Sequence, residues 1–213
     1  MAEQLVSQSG QAGIPSIIYR VGSVTGHSQT GAANTGDFLH AMLRGALQLG
    51  CLPRDVRLDP VPVDFVTRAI AHLASTDPPS GSIFHITNPR PMEVDQFVAW
   101  AENRGFPIAL VDRKTWLRRI NEQAARDGHN LQSFSALLQM LVDYQGLQRF
   151  MQAKIRQPDM VNTSRGLAAT DISCPPVTSD LLDTYLEHFL RTGFIADHSQ
   201  APRPRSSQPR GEQ

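Results

Sequence analysis

Apolar side chains recur at helical spacing in several stretches of the chain. Phe38, Met42, Leu43, Ala46 and Leu47 predict a helix over 37–49 that starts at Thr35 or Asp37 and stops at Gly50. Val63, Val66, Ala69, Ile70 and Leu73 mark a second, and a third spans about 93–103. Leu181, Leu182, Tyr185, Leu186, Phe189 and Leu190 mark the last, with Thr178 or Ser179 as its N-cap behind Pro175 and Pro176. Residues 2–9 read as the end of a helix stopped by Gly10 and Gly13.

Between these helices lie short β-rich runs at 14–19, 82–87 and 108–111. Residues 21–34, rich in glycine, serine and threonine, read as a loop, and 57–62 as an extended link. Strands alternating with helices predict a mostly parallel sheet with crossover connections. From Arg113 onward the pattern is helical only, with further helices near 116–128 and 131–142. The expected division is therefore an α/β region over 1–112, a small helical cap over 113–195 and a disordered tail over 196–213. That tail is rich in Ser, Gln, Pro and Arg and carries no aromatic residue to bury.

Charge and composition narrow the function class. The 20 basic and 20 acidic side chains cancel without forming a like-charged run ahead of the tail, which argues against a nucleic-acid partner. The apolar stretch at 14–21 falls far short of the roughly 20 residues of a membrane span, and 1–13 lacks the pattern of a signal peptide. A cytoplasmic location is expected. Cys51 and Cys174 stand more than a hundred positions apart with no C-x-x-C partner, so both are expected to be reduced, buried thiols. None of the seven histidines has an i, i+4 partner, and no metal site is expected.

The segment of greatest chemical interest is Tyr19-Arg20-Val21-Gly22-Ser23, a strand running into a glycine-containing loop. Ligands of open α/β sheets sit beyond the carboxyl ends of strands, so Val21, Gly22 and Ser23 lie where a cofactor edge would be met. The same spacing also suits an ordinary tight turn. His27, in the same loop, is a candidate to face substrate. Asp64 falls in the first turn of its helix, where the N-terminal partial charge favours a carboxylate. It reads as a group tying two chain segments together before it reads as a catalytic one. His85, in the middle of a strand, is expected at a core or interface position. Neither a G-x-S-x-G elbow nor a P-loop is present. The Gly-rich pyrophosphate turn is absent as well, and Tyr19, Tyr144 and Tyr185 are followed four residues on by Ser23, Gln148 and Phe189, never by lysine.

The blocks Ala2 to Val6, Gly13-Ile14-Pro15 through Gly22, Gly26, Asn34 to Phe38, Pro62 to Val66, Phe84 to Pro89 and Cys174-Pro175-Pro176 together resemble thioester reductase domains of the extended short-chain dehydrogenase type. Such domains release carrier-bound acyl chains from nonribosomal peptide and polyketide synthetases, and similar ones occur in carboxylic acid and aminoadipate reductases. The resemblance covers about residues 1–195 and departs at Val21, where the family usually has proline. It implies the C-terminal portion of a Rossmann-like fold followed by a helical substrate-binding cap. It also implies NADP as cofactor and, as partner, an acyl or peptidyl carrier protein bearing a phosphopantetheine-linked thioester. Such a domain reduces the thioester to an aldehyde or alcohol.

On that resemblance the catalytic tyrosine and lysine fall ahead of Met1, so no catalytic residue is expected within this chain. Val21, Gly22 and Ser23 are expected on the nicotinamide side, with Asn34 and Asp37 lining the substrate channel. A noncatalytic docking module for a carrier protein, or for a separate N-terminal half, is the alternative reading.

Overall fold

The computed structural model describes residues 2–36, 38–56, 58–126 and 158–195. The expected helix near 131–142 and the tail at 196–213 lie outside them. The order is α1 (Ala2–Gln11), β1 (Ile17–Val21), β2 (Ser23–Thr25), α2 (Phe38–Leu49), β3 (Cys51–Pro53), β4 (Pro60–Pro62), α3 (Val63–Ser75), β5 (Ser82–Ile86), α4 (Val94–Asn103), β6 (Ala109–Val111), α5 (Arg113–Arg126), α6 (Val161–Leu167) and α7 (Ser179–Arg191).

Every strand pair is parallel: β1 with β5, β2 with β4, and β3 with β6. Because parallel neighbours require crossover connections, the helices are forced onto the faces of these pairs. Two apolar cores result. One gathers α2, β3, α4, α5 and α7 around Leu52, Trp100, Phe106, Ile120 and Phe189. The other packs Val66, Ala69 and Leu73 of α3 against Phe84 and Ile86 of β5, and is closed by Leu167 and Cys174.

Four sequence expectations change in detail. The strand expected at 14–19 is Ile17–Val21, because pairing of Ile17 with Ser82 sets its start and Ile14 stays 60% exposed. The stretch 21–34 is not all loop, since Val21 ends β1 and β2 follows directly after Gly22. β4 is a three-residue strand within the stretch expected to be an extended link, and β3 is a three-residue strand just past the Gly50 stop, where no element was expected. Residues 161–167 form α6, which the sequence pattern does not announce.

The capping expectations for α7 are met. The Thr178 hydroxyl accepts from the Leu181 N–H at 3.3 Å, Asp180 occupies the first turn, and His188 and Arg191 occupy the last, each at the end its charge favours. α7 is fastened to α4 by one carboxylate. Asp183 accepts from the Trp100 indole N–H at 2.9 Å and from the Arg104 guanidinium. The Arg104 bond, helped by the Trp100 bond, outweighs burial and holds the Asp183 carboxyl below the usual aspartate range.

Candidate functional site

Gly22 is the point where the chain passes from one strand pair to another. Its N–H donates to the Ile86 carbonyl at 2.9 Å, closing the β1–β5 ladder, and the next residue opens β2 beside β4. A side chain here would place its Cβ 3.1 Å from Val61 Cγ2 and 3.3 Å from Thr87 Cγ2. A side chain here would press Val61 and Thr87 back by a few tenths of an ångström, because two strand ends converge. Val21 leaves 37% of its surface exposed at the carboxyl end of β1. Ser23 turns its hydroxyl to Asp59, donating at 2.9 Å, and Asn88 spans the same junction by donating to the Pro60 carbonyl at 2.8 Å.

β2 leads into a tight loop over 26–32. His27 N–H donates to the Ala32 carbonyl and Gly31 N–H to the His27 carbonyl, both at 2.9 Å. The loop is seated on α7 and on the start of α3. On α7, the Tyr185 hydroxyl donates to the Gly26 carbonyl at 3.0 Å and meets the Thr25 hydroxyl at 3.0 Å. Burial pushes the Tyr185 phenol up to about 12, so it stays a neutral donor. On α3, Asp64 accepts from Ser28 N–H at 2.8 Å and from Ser28 Oγ at 2.7 Å. Burial raises the Asp64 carboxyl, but the Ser28 hydroxyl and N–H bonds outweigh that and leave it below the usual range. This is the tying role expected of Asp64.

The other expected site residues take these positions. The His27 ring is half-buried, with Nδ1 accepting from Gln29 N–H at 3.2 Å. Asn34 is exposed, and its Oδ1 accepts from Gly36 N–H at 3.1 Å in a local turn. Asp37 lies outside the described residues. His85 bridges elements: its Nδ1 lies 2.8 Å from the Asp159 carbonyl and its Nε2 3.2 Å from Arg20 Nη1. Among the described residues no group of His, Cys, Asp or Glu has the geometry of a metal site, and no helix is long and apolar enough to cross a membrane.

Two roles escape the sequence pattern. Tyr185 belongs to an apolar helix stripe, and only the general need of a buried phenol for a partner hints that it grips a distant loop. Asp59 stands immediately ahead of β4, but nothing local names Ser23 as its partner.

Cys51 and Cys174 are both buried, as expected, at 0% and 6% exposure. Burial, reinforced by Asp64 and only partly offset by Arg90, pushes the Cys174 thiol up to about 12. Cys174 is therefore a neutral, inert thiol. Iodoacetamide at pH 8 is expected to leave both cysteines unmodified in the native chain and to label both in denaturant, as read by intact mass. Rapid native labelling of Cys174 would contradict this placement.

The similarity to known proteins agrees with this geometry. Residues 1–70 match the NAD-binding family model described as "Male sterility protein". The chain is 33% identical to a linear gramicidin synthase of Brevibacillus parabrevis over 92% of its own length and 4% of that protein's. It is 32% identical to the L-2-aminoadipate reductase of Penicillium chrysogenum, in its large chain, over 91% of this chain and 14% of that one. The solved terminal R domain of the myxalamid PKS-NRPS pathway superposes with a TM-score of 0.76 at 29% identity, covering 92% of this chain and 49% of that one. Parallel strand pairs, crossover helices and a glycine hand-over at the strand ends define a Rossmann-like α/β protein of the extended short-chain dehydrogenase type. Within that class the chain belongs to the thioester reductase family, and it spans about half of the solved domain and small fractions of the multidomain relatives.

Proposed function

We propose that this chain is the part of an NADPH-dependent thioester reductase domain that carries the nicotinamide-side strand end and the substrate-facing helices. The domain reduces an acyl thioester held on the phosphopantetheine arm of a carrier protein, in the cytoplasm. The observation that carries the reading is the Val21-Gly22-Ser23 hand-over at the carboxyl ends of β1 and β5, in a chain so similar to a terminal reductase domain.

The residues present fit one end of such a cofactor. Val21 offers an apolar, part-exposed side chain, and Gly22 keeps its surroundings free of any side chain of its own. Arg20 is occupied by Glu3 and His85 and Ser23 by Asp59, so the segment holds no free cation for a phosphate. NADPH supplies the hydride when bound. This chain's contribution is to position. Asp64 and Tyr185 fix the 26–32 loop, so that His27 and Asn34 stand at the border of the substrate channel. The α5 and α7 helices, with α7 anchored through Asp183, serve as part of the cap on that channel.

The test is NADPH consumption with an acyl-loaded carrier protein. The chain alone, which has neither a Tyr-x-x-x-Lys pair nor a Gly-rich turn in its sequence, is expected to show none. A polypeptide joining the unmatched half of the myxalamid-pathway domain ahead of this chain is expected to consume NADPH only when the thioester is present. Gly22→Val should then lower the rate by about tenfold or more, because a branched side chain displaces Val61 and Thr87 at the strand ends. Oxidation by the joined polypeptide that ignores the thioester would refute the reading.

A further inference from the structure

His85 stands in β5 and is gripped at its ring and at its backbone. Nδ1 lies 2.8 Å from the Asp159 carbonyl and Nε2 lies 3.2 Å from Arg20 Nη1, while Thr163 Oγ1 donates to the His85 carbonyl at 2.8 Å. Both ring partners have a fixed polarity. A carbonyl oxygen only accepts and a guanidinium only donates, so Nδ1 carries a proton and Nε2 carries none. His85 is therefore the neutral Nδ1–H tautomer. Arg20 is itself held by the Glu3 carboxylate, with Nε at 3.0 Å and Nη2 at 2.6 Å, so the group that fixes the ring is fixed in turn.

What the Nδ1–H holds is the chain just ahead of α6. The Asp159 carboxylate accepts from the Val161 N–H at 2.9 Å, and the Met160 carbonyl accepts from the Ser164 N–H at 2.8 Å. Met160 lies between Asp159 and Thr163, the two residues that grip His85. Its Sδ accepts from the Thr87 hydroxyl at 3.2 Å, and Thr87 is one of the two side chains that crowd Gly22. A threonine hydroxyl and methyl exchange places among the staggered χ1 positions. The bond to Met160 selects the position in which Cγ2 faces the strand end, 3.3 Å from where a Gly22 Cβ would be. Met160 also lines a cavity of about 300 Å³ with Phe65, Leu167 and Cys174, so packing alone leaves it room to move. A line of contacts thus runs from His85 through Asp159, Met160 and Thr87 to Gly22.

We propose that His85 is a positioning residue of the reductase site: locked as the Nδ1–H tautomer, it clamps Asp159 and Met160 so that Thr87 keeps one orientation beside Gly22. The importance of that orientation rests on the reductase reading, in which Gly22 borders the nicotinamide. His85 acts there only through Thr87. Its effect falls on cofactor binding, because Gly22 and Thr87 belong to the cofactor edge, and it leaves the contacts of the thioester alone.

Nitrogen NMR of the isotopically labelled chain alone at pH 8 tests the clamp. The His85 ring, assigned by the loss of its signals in His85→Asn, is expected to show a protonated Nδ1 and a bare Nε2, and Thr87 to show a single χ1 orientation in its three-bond couplings. A ring protonated mainly at Nε2 would overturn the proposal. So would Thr87 couplings averaged over several orientations. Kinetics of the joined polypeptide test the consequence. His85→Ala and Met160→Leu are each expected to raise KM for NADPH about fivefold and to leave KM for the thioester within about twofold. His85→Asn, whose amide donates where Nδ1–H does, is expected to recover most of the loss. Met160→Leu keeps the side-chain volume and removes only the sulfur acceptor, so it tests the relay even where His85→Ala does not fold. An equal loss in kcat and both KM values, or no recovery with asparagine, would make His85 a residue of general stability and overturn the proposal. A joined polypeptide that consumes no NADPH while the tautomer and the Thr87 orientation hold would refute the functional reading and leave the clamp standing.

Discussion

Gly31→Ala is expected to lower the melting temperature of the chain by about 10 °C. Gly31 has φ +69, a conformation that costs other residues about 1 to 2 kcal/mol. Its added Cβ would lie 2.3 Å from the Thr184 carbonyl oxygen and 2.6 Å from His188 Cβ, both on α7. These contacts belong to a helix held by extensive core packing, so neither side gives way cheaply. A total of about 4 kcal/mol follows, which is about 10 °C for a chain of this size. Gly166→Ala is the informative comparison. Its Cβ would meet Leu73 Cδ2 at 2.3 Å, the far end of a flexible side chain, so the loss should be smaller. Thermal denaturation of the two variants measures both, and a drop for Gly31→Ala below about 2 °C would mean that the loop and α7 are not in contact in solution.

The second large effect is expected at Asp64. Asp64→Ala removes two charge-assisted bonds to Ser28 and the negative charge at the start of α3, a loss of about 2 to 3 kcal/mol. The cost also depends on pH. The folded-state pKa of Asp64 lies below its ordinary value of 3.8, so the carboxylate contributes its full stabilisation above that value and loses it as the pH falls through the folded one. The stability difference between the native chain and Asp64→Ala is therefore expected to be constant from neutrality down to about pH 5 and to shrink below about pH 4. Denaturant titrations at several pH values read this directly, and a difference that widens in acid would exclude the Asp64–Ser28 link.

What the sequence made legible follows element strength. α2, α3, α4 and α7 each show more than two turns of regular apolar spacing, and the structure finds them within a residue or two of the expected bounds. β2, β3 and β4 have three residues each, too few for any period to register. β4 is disguised further by Pro60 and Pro62, residues that normally count against a strand. They are tolerated because only alternate residues of a parallel strand turn backbone groups toward a given neighbour, and Val61 between them keeps its N–H. α6, Val-Asn-Thr-Ser-Arg-Gly-Leu, is made mostly of poor helix formers. Asn162 and Thr163 bond to β5 from it, so its stability comes from tertiary contacts that a local pattern does not contain.

The candidate site divides in the same way. The position of Val21-Gly22-Ser23 at a strand end was legible, because a strand followed by glycine is a local signal. Its shape was not: Gly22 answers to Val61 and Thr87, which lie 39 and 65 residues further on. Asp64 was legible as a tether because a carboxylate in a first helical turn is recognisable, while its partner, 36 residues earlier, was not. Asn34 is expected at the channel by resemblance alone, while locally it closes a turn onto Gly36.

The final turn after α7 has a consequence for how this polypeptide is made. Phe194 and Ile195 fold back so that their N–H groups donate to the Phe189 carbonyl, and Ile195 is 2% exposed within the core that holds Ala46, Trp100 and Phe106. That core is assembled from α2, early in the chain, and α7, late in it. It cannot close before residue 195 has emerged during synthesis, so the apolar faces of α2 and α4 wait for α7 to cover them. A polypeptide ending ahead of Phe189 is expected to leave that core exposed and to be cleared by proteolysis.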